Sequence, residues 1–174
     1  SSDLFNAAIK TWLNPATTPA PTPAGGRAAV YRFYNTITGT HFFTVSAAER
    51  DFIIRTYPQF NYENVAFYAY ADAANGRSPI FRFYNNATGT HFFSASVAER
   101  DFVIATYPQF QYENISWYGQ ATSGSGASPI YRFYNPTSGA HFYTISAAER
   151  DFLVQNNRSF AYEGPVYYAW TTAQ

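Results

Sequence analysis

One motif is written three times in this chain at an interval of 50 residues. Tyr31-Arg32-Phe33-Tyr34-Asn35 returns as Phe81-Arg82-Phe83-Tyr84-Asn85 and again as Tyr131-Arg132-Phe133-Tyr134-Asn135. The three histidines, His41, His91 and His141, keep the same interval, as do Glu49-Arg50-Asp51 and its two echoes. A period of this size marks a supersecondary unit that cannot bury its apolar face alone and must pack on its copies. The fold is therefore expected to be an assembly of three like units. Function is constrained too, because anything built within one unit exists in triplicate. Multivalent binding gains from that arrangement more than catalysis does.

Each unit opens on a short aromatic strand, residues 30–35 in the first copy. A turn rich in Thr, Gly and Asn (35–39) leads into a second strand, 41–45. Ser46-Ala47-Ala48-Glu49 follows, with Ser96 to Glu99 and Ser146 to Glu149 at the matching places. Ser-x-x-Glu ahead of an apolar run is the capping box, in which serine and glutamate each satisfy an orphan amide at a helix start. The helix carries Phe52, Ile53 and Ile54 and ends near Tyr57-Pro58, since proline disfavours helix at the residue before it. The third copy has Asn157-Arg158-Ser159 at that place. Residues 60–63 and 65–70 predict two further short strands around a tight turn.

The expected unit is thus β-β-α-β-β. The expected fold class is mainly β with short helices, a pseudo-threefold β-trefoil-like assembly of three such repeats. A three-bladed propeller would use the same parts, although propellers usually have at least four blades. Residues 1–14 predict an N-terminal helix capped by Ser2-Asp3, and 15–29 a Pro/Thr/Gly-rich linker. The three-repeat β domain occupies 30–174, divided as 30–79, 80–129 and 130–174.

Composition narrows the partners. Net charge is zero, charged residues make up only 13% of the chain and Lys10 is the single lysine. That balance argues against nucleic acid and against an anionic membrane surface. No stretch is apolar enough to insert in a membrane. The absence of cysteine excludes disulfides and thiolate metal sites. No HExxH, nucleophile elbow or Walker-type loop is present, so neither an enzyme nor a cofactor is expected. Aromatics reach 21%, and exposed tyrosine offers rigid contact area with a polar tip.

Arg32, Glu49, Arg50, Asp51 and Glu63 recur in all three units. Arg32 lies mid-strand among aromatics, where a guanidinium needs a carboxylate, and Glu63 on a neighbouring strand is the natural partner. Glu49 is assigned to the capping box. Asp51 either complements the helix dipole or reads a ligand hydroxyl. His41 either bonds the turn backbone or Asn35, or bonds a ligand beside Tyr34 and Asp51. A third alternative has the three histidines converging on the pseudo-threefold axis to hold a metal, although no metal site is expected. The candidate ligand-binding set is Tyr34, Asn35, His41 and Asp51. Its echoes are Tyr84, Asn85, His91 and Asp101, then Tyr134, Asn135, His141 and Asp151. Two departures from symmetry, Trp117 for Phe67 and Asn157-Arg158-Ser159 for Tyr-Pro-Gln, would signal one specialised site if they met at one pocket.

The string Tyr-Arg-Phe-Tyr-Asn-x-x-Thr/Ser-Gly-x-His-Phe-Phe/Tyr-Thr/Ser, followed by Ala-Glu-Arg-Asp and Tyr-Glu, resembles a bacterial and fungal repeat family labelled as a domain of unknown function. The resemblance implies an accessory module of secreted hydrolases and other extracellular proteins, with no catalytic residues to carry over. The expected function is a secreted, non-catalytic, lectin-like carbohydrate-binding module with up to three equivalent sites. Its partner would be a polysaccharide or cell-surface glycan, and the module would be tethered to a secreted hydrolase domain. The alternative is a protein-interaction or adhesion module with exposed tyrosines as hot spots.

Overall fold

The structure, a computed structural model, describes residues 26–174. The expected helix over 1–14 and most of the expected linker lie outside the described residues. Unit one comprises β1 (Ala28–Asn35), β2 (Thr40–Thr44), α1 (Ala47–Thr56) and β3 (Phe60–Ala69). Unit two repeats it as β4 (Ser78–Asn85), β5 (Thr90–Ser94), α2 (Val97–Thr106) and β6 (Phe110–Gly119). Unit three is β7 (Ser128–Asn135), β8 (Ala140–Thr144), α3 (Ala147–Asn156) and β9 (Ala161–Ala169). Each unit is one antiparallel three-stranded sheet with its first strand in the middle, ordered β2-β1-β3, β5-β4-β6 and β8-β7-β9.

The fold is mainly β with three short helices and a threefold pseudo-repeat, as the sequence implies. The unit, however, is β-β-α-β and not β-β-α-β-β. Segments 60–63 and 65–69 belong to one strand, because both pair with β1 across two register shifts, and Tyr70 beyond it bridges to Tyr118. Asn64 supplies the irregularity by taking a left-handed φ of 69°, and Asn114 and Gly164 do the same at 81° and 93°. A residue type that tolerates positive φ therefore bends a strand here instead of reversing the chain.

The β1–β2 turn is closed by Asn35, whose Oδ1 accepts from the amides of Ile37 and Thr38 at 3.0 and 3.3 Å. Gly39 completes it at φ 69°, donating its amide to the Asn35 carbonyl at 2.8 Å. Each helix starts at the expected serine, and Ser46 Oγ accepts from the Glu49 amide at 3.1 Å. The reciprocal half of the box is made differently. The Ser46 amide donates to Thr44 Oγ1 at 3.0 Å, and Ser96 and Ser146 donate to Ser94 and Thr144 in the same way. A hydroxyl at the end of the preceding strand thus takes the role expected of glutamate, and the glutamate carboxylate is released for other contacts.

The units meet at a common centre. Phe43, Phe93 and Tyr143, one from each short strand, stand edge-to-face around the axis with ring centroids 5.6–6.2 Å apart. Tyr143 breaks the symmetry: its hydroxyl donates to the Phe93 carbonyl at 2.8 Å and accepts from the Phe93 amide at 2.9 Å. Phe67, Trp117 and Tyr167 form the next layer of the same buried core. Beyond it the ends of β3, β6 and β9 are stitched in a closed ring. Tyr68 exchanges backbone hydrogen bonds with Trp170, Tyr70 with Tyr118, and Gln120 with Tyr168, all at 2.7–3.0 Å. Each unit adds a small core between sheet and helix, such as Phe33, Phe42 and Ile53. Burying so many aromatic rings is the main driving force for assembling the three units.

Candidate functional site

Alternation along a strand puts Arg32 and Tyr34 on one face of β1, and the register with β2 sets His41 opposite Tyr34. That face packs against the neighbouring unit. Arg32 Nε lies 2.8 Å from Glu63 Oε2, so the expected pair is present. In the third unit the same contact is an aligned hydrogen bond, Arg132 Nε donating to Glu163 at 2.6 Å.

The arginine also reaches across the unit boundary to the capping-box glutamate of its neighbour. Arg82 Nη1 meets Glu49 at 3.4 Å, Arg132 forks onto both oxygens of Glu99 at 3.0 Å, and Arg32 meets Glu149 at 3.2 Å. Glu49 and its echoes, freed from the capping box, are therefore the clasps that join unit to unit. Bonds from Arg132 and Ser94 outweigh the effect of burial and hold the Glu99 carboxyl below its ordinary range. Glu113 is likewise held low against burial, by His91 and Arg82.

The histidines belong to the same boundaries. His41 Nε2 approaches Glu63 at 3.3 Å, and its ring lies 5.1 Å from Tyr34 and 4.8 Å from Phe142 of unit three. His91 meets Glu113, Tyr84 and Phe42, while His141 meets Glu163, Tyr134 and Phe92. Burial, reinforced by the adjacent arginine, lowers His41 and His141 to a pKa of about 4, so both rings are neutral near pH 7. The three rings occupy three separate boundaries. Among the described residues no three metal-capable His, Asp or Glu side chains come together.

Asp51 sits elsewhere. It pairs with its neighbour Arg50 at 2.7 Å, and the Arg50 guanidinium lies over the Tyr31 ring at 4.5 Å. Asp101 and Asp151 repeat the pairing with Arg100 and Arg150. The structure thus brings Tyr34 and His41 together, assigns Asn35 to the turn, and keeps Asp51 in an exposed pair on the helix. The two departures from symmetry do not meet. Trp117 is fully buried, stacked on Phe93, whereas Asn157 is the C-cap of α3 and Arg158 is exposed.

A concave feature of a size that suits a small ligand lies between the hairpin turns of units one and two. This cleft has a volume of about 420 Å³, within the usual range for small-molecule sites. Unit one contributes Asn35, Thr38, Gln59 and Phe60, and unit two contributes Tyr84, Asn86 and Thr88. Two candidates from the sequence, Asn35 and Tyr84, therefore line it, and His41 and Asp51 do not. Gln59, Asn86 and the threonines were missed as site residues because a cleft between units has no local signature in either repeat. The turn chemistry was visible, and the juxtaposition of two turns was not.

Comparison with curated proteins and comparison with solved structures each return no match. The family model described as a domain of unknown function (DUF5648) matches residues 29–170, and the chain belongs to that family.

Proposed function

We propose that this protein is a non-catalytic carbohydrate-binding module that takes its ligand between the hairpin turns of adjoining units. The observation that carries the reading is the composition of the cleft between units one and two. It combines side-chain amides and hydroxyls with the rings of Phe60 and Tyr84. Amides and hydroxyls pair with sugar hydroxyls, and an aromatic wall accepts the apolar face of a pyranose. The charged side chains support binding over catalysis, because Arg32, Arg82 and Arg132 are spent on glutamates of their own unit and of the neighbouring unit. Pseudo-threefold repetition sets an upper limit of three such sites on one chain. Secretion and attachment to a larger extracellular protein are part of the same proposal, and the Pro/Thr-rich sequence 15–29 supports them. Retention on insoluble polysaccharides together with a broad glycan array tests it. Binding to at least one glycan class is expected, and a blank array with no retention sinks it.

A second reading, a protein-interaction module, draws on the apolar outer faces of the helices. Phe102 and Phe152 are 56% and 62% exposed, with Ile104 and Val154 beside them. Capture of one defined protein, unaffected by competing sugars, would favour it.

A further inference from the structure

The three boundaries are equivalent only in outline, because the residues at matching places in the turns differ. Thr36 N and Asn86 N donate to the carbonyls of Gln59 and Gln109 at 2.9 and 2.8 Å, so residues 36 and 86 hold the same place in their turns. Position 136 in unit three is proline, which has no amide to donate. The cleft between units one and two brings together Gln59 and Asn86. By the same pseudo-symmetry, the boundary between units two and three would set Gln109 beside Pro136, and that between units three and one would set Ser159 beside Thr36. Only the first boundary has an amide on both sides.

The boundaries also differ in how closely the turns approach. A Cβ on Gly139 would lie 3.5 Å from the Thr88 methyl, so the turn of unit three lies close to that of unit two. At Gly89 the nearest atom is the Tyr84 hydroxyl of its own unit, at 3.7 Å, and no atom of unit one comes within 4 Å. Gly39 likewise meets only the Tyr34 hydroxyl of its own unit, at 3.8 Å, so the first and third boundaries are open where the second is narrow, and the paired amides single out the first. Its wall residues carry amides, hydroxyls and rings and no carboxylate, imidazole or guanidinium.

We infer that the cleft between units one and two is the single complete site, that Gln59 and Asn86 are its reading residues, and that it takes a neutral oligosaccharide without a metal ion. This rests on the carbohydrate reading above. Two side-chain amides, one from each wall of an open cleft, can each accept from one hydroxyl and donate to another, a match for vicinal diols or an N-acetyl group. With no charge in the wall, an acidic sugar would leave water and gain no ionic partner.

Calorimetric titration of the full chain with cello-, xylo-, manno- and chito-oligosaccharides and with oligogalacturonate tests the inference. The expected result is one neutral oligosaccharide bound per chain, unchanged by EDTA or by added salt. Gln59→Ala and Asn86→Ala should each weaken that binding roughly five- to tenfold, the worth of one neutral hydrogen bond. Gln109→Ala should leave it unchanged, and circular dichroism checks that all variants stay folded. Two or three sugars per chain, an equal loss in Gln109→Ala, dependence on a metal or preference for oligogalacturonate overturns the inference while leaving the carbohydrate reading intact. Absence of binding to every sugar overturns both.

Discussion

Replacing the boundary arginine should cost very different amounts in the three units, although the sequence around it is nearly the same. Arg82 has a side chain only 7% exposed, and its partners Glu49 and Glu113 are each 8% exposed. Arg32 is 21% exposed, with Glu63 and Glu149 at 31% and 35%. Arg82→Met keeps most of the apolar stem and removes the charge, leaving two carboxylates in a dry boundary with no guanidinium between them. Breaking a buried pair from one side costs about 3–5 kcal/mol. Arg32→Met leaves carboxylates that water still reaches, where a pair is worth about 1 kcal/mol or less. A domain of this size loses roughly 2–4 °C per kcal/mol, so Arg82→Met should lower Tm by roughly 6–20 °C and Arg32→Met by a few degrees. Urea unfolding gives the free energies and a melt followed by tryptophan fluorescence gives Tm. Adding Glu49→Gln and Glu113→Gln to Arg82→Met should recover much of the loss, because the uncompensated charge is then gone. Equal losses in the two single variants, or no recovery in the triple variant, would refute burial as the source of the cost.

Acid should weaken the fold from about pH 6.5 downward through its buried histidines. His41 and His141 have pKa values lowered to about 4 beside Arg32 and Arg132, against 6.5 when unfolded. As pH falls below 6.5 the unfolded chain takes up protons first, so stability is complete above that pH and declines toward 4. Each ring contributes a slope of up to about 1.4 kcal/mol per pH unit, and His41→Gln with His141→Gln should flatten Tm between pH 6.5 and 4.5. A wild-type Tm that is flat over that interval contradicts this. Tyr143→Phe strands the Phe93 amide and carbonyl in the central core and should cost about 1–3 kcal/mol in urea unfolding. Gly164→Ala meets no atom within 4 Å, so its cost is the backbone strain of φ 93°, about 1–2 kcal/mol. Gly164→Asn should cost less, since asparagine already holds the same place at 64 and 114. Ser96→Ala removes the α2 cap and should cost about 1 kcal/mol by the same assay.

Features that depend on neighbours along the chain were legible in the repeat. The turn at Asn35, the serine caps, the helix end at Tyr57 and the pairing of Arg32 with Glu63 all follow from residues whose spacing local geometry translates directly into contact. The strand count failed at Asn64, because a left-handed asparagine is compatible with both a reversal and a bulge. Only pairing with β1 on both sides of it selects the bulge. Glu49 was assigned to its own helix because the competing hydroxyl of Thr44 belongs to the preceding strand. The cluster expected from Tyr34, Asn35, His41 and Asp51 separates because adjacent residues of a strand point to opposite faces, and Asp51 rides on the outside of the helix.

What the sequence by itself determined is the unit and its number: three copies of an aromatic hairpin, a capped helix and a returning strand, neutral overall and needing one another to bury their rings. What only the tertiary structure decided is what happens where the copies meet. There, residues from different repeats and up to 117 positions apart, Arg32 with Glu149, become partners. Two nearly identical turns form an open cleft at one boundary and approach more closely at another. The physical reason is that contacts between units depend on how whole sheets pack around an axis. That packing is a sum over all the buried rings and cannot be read from any one motif.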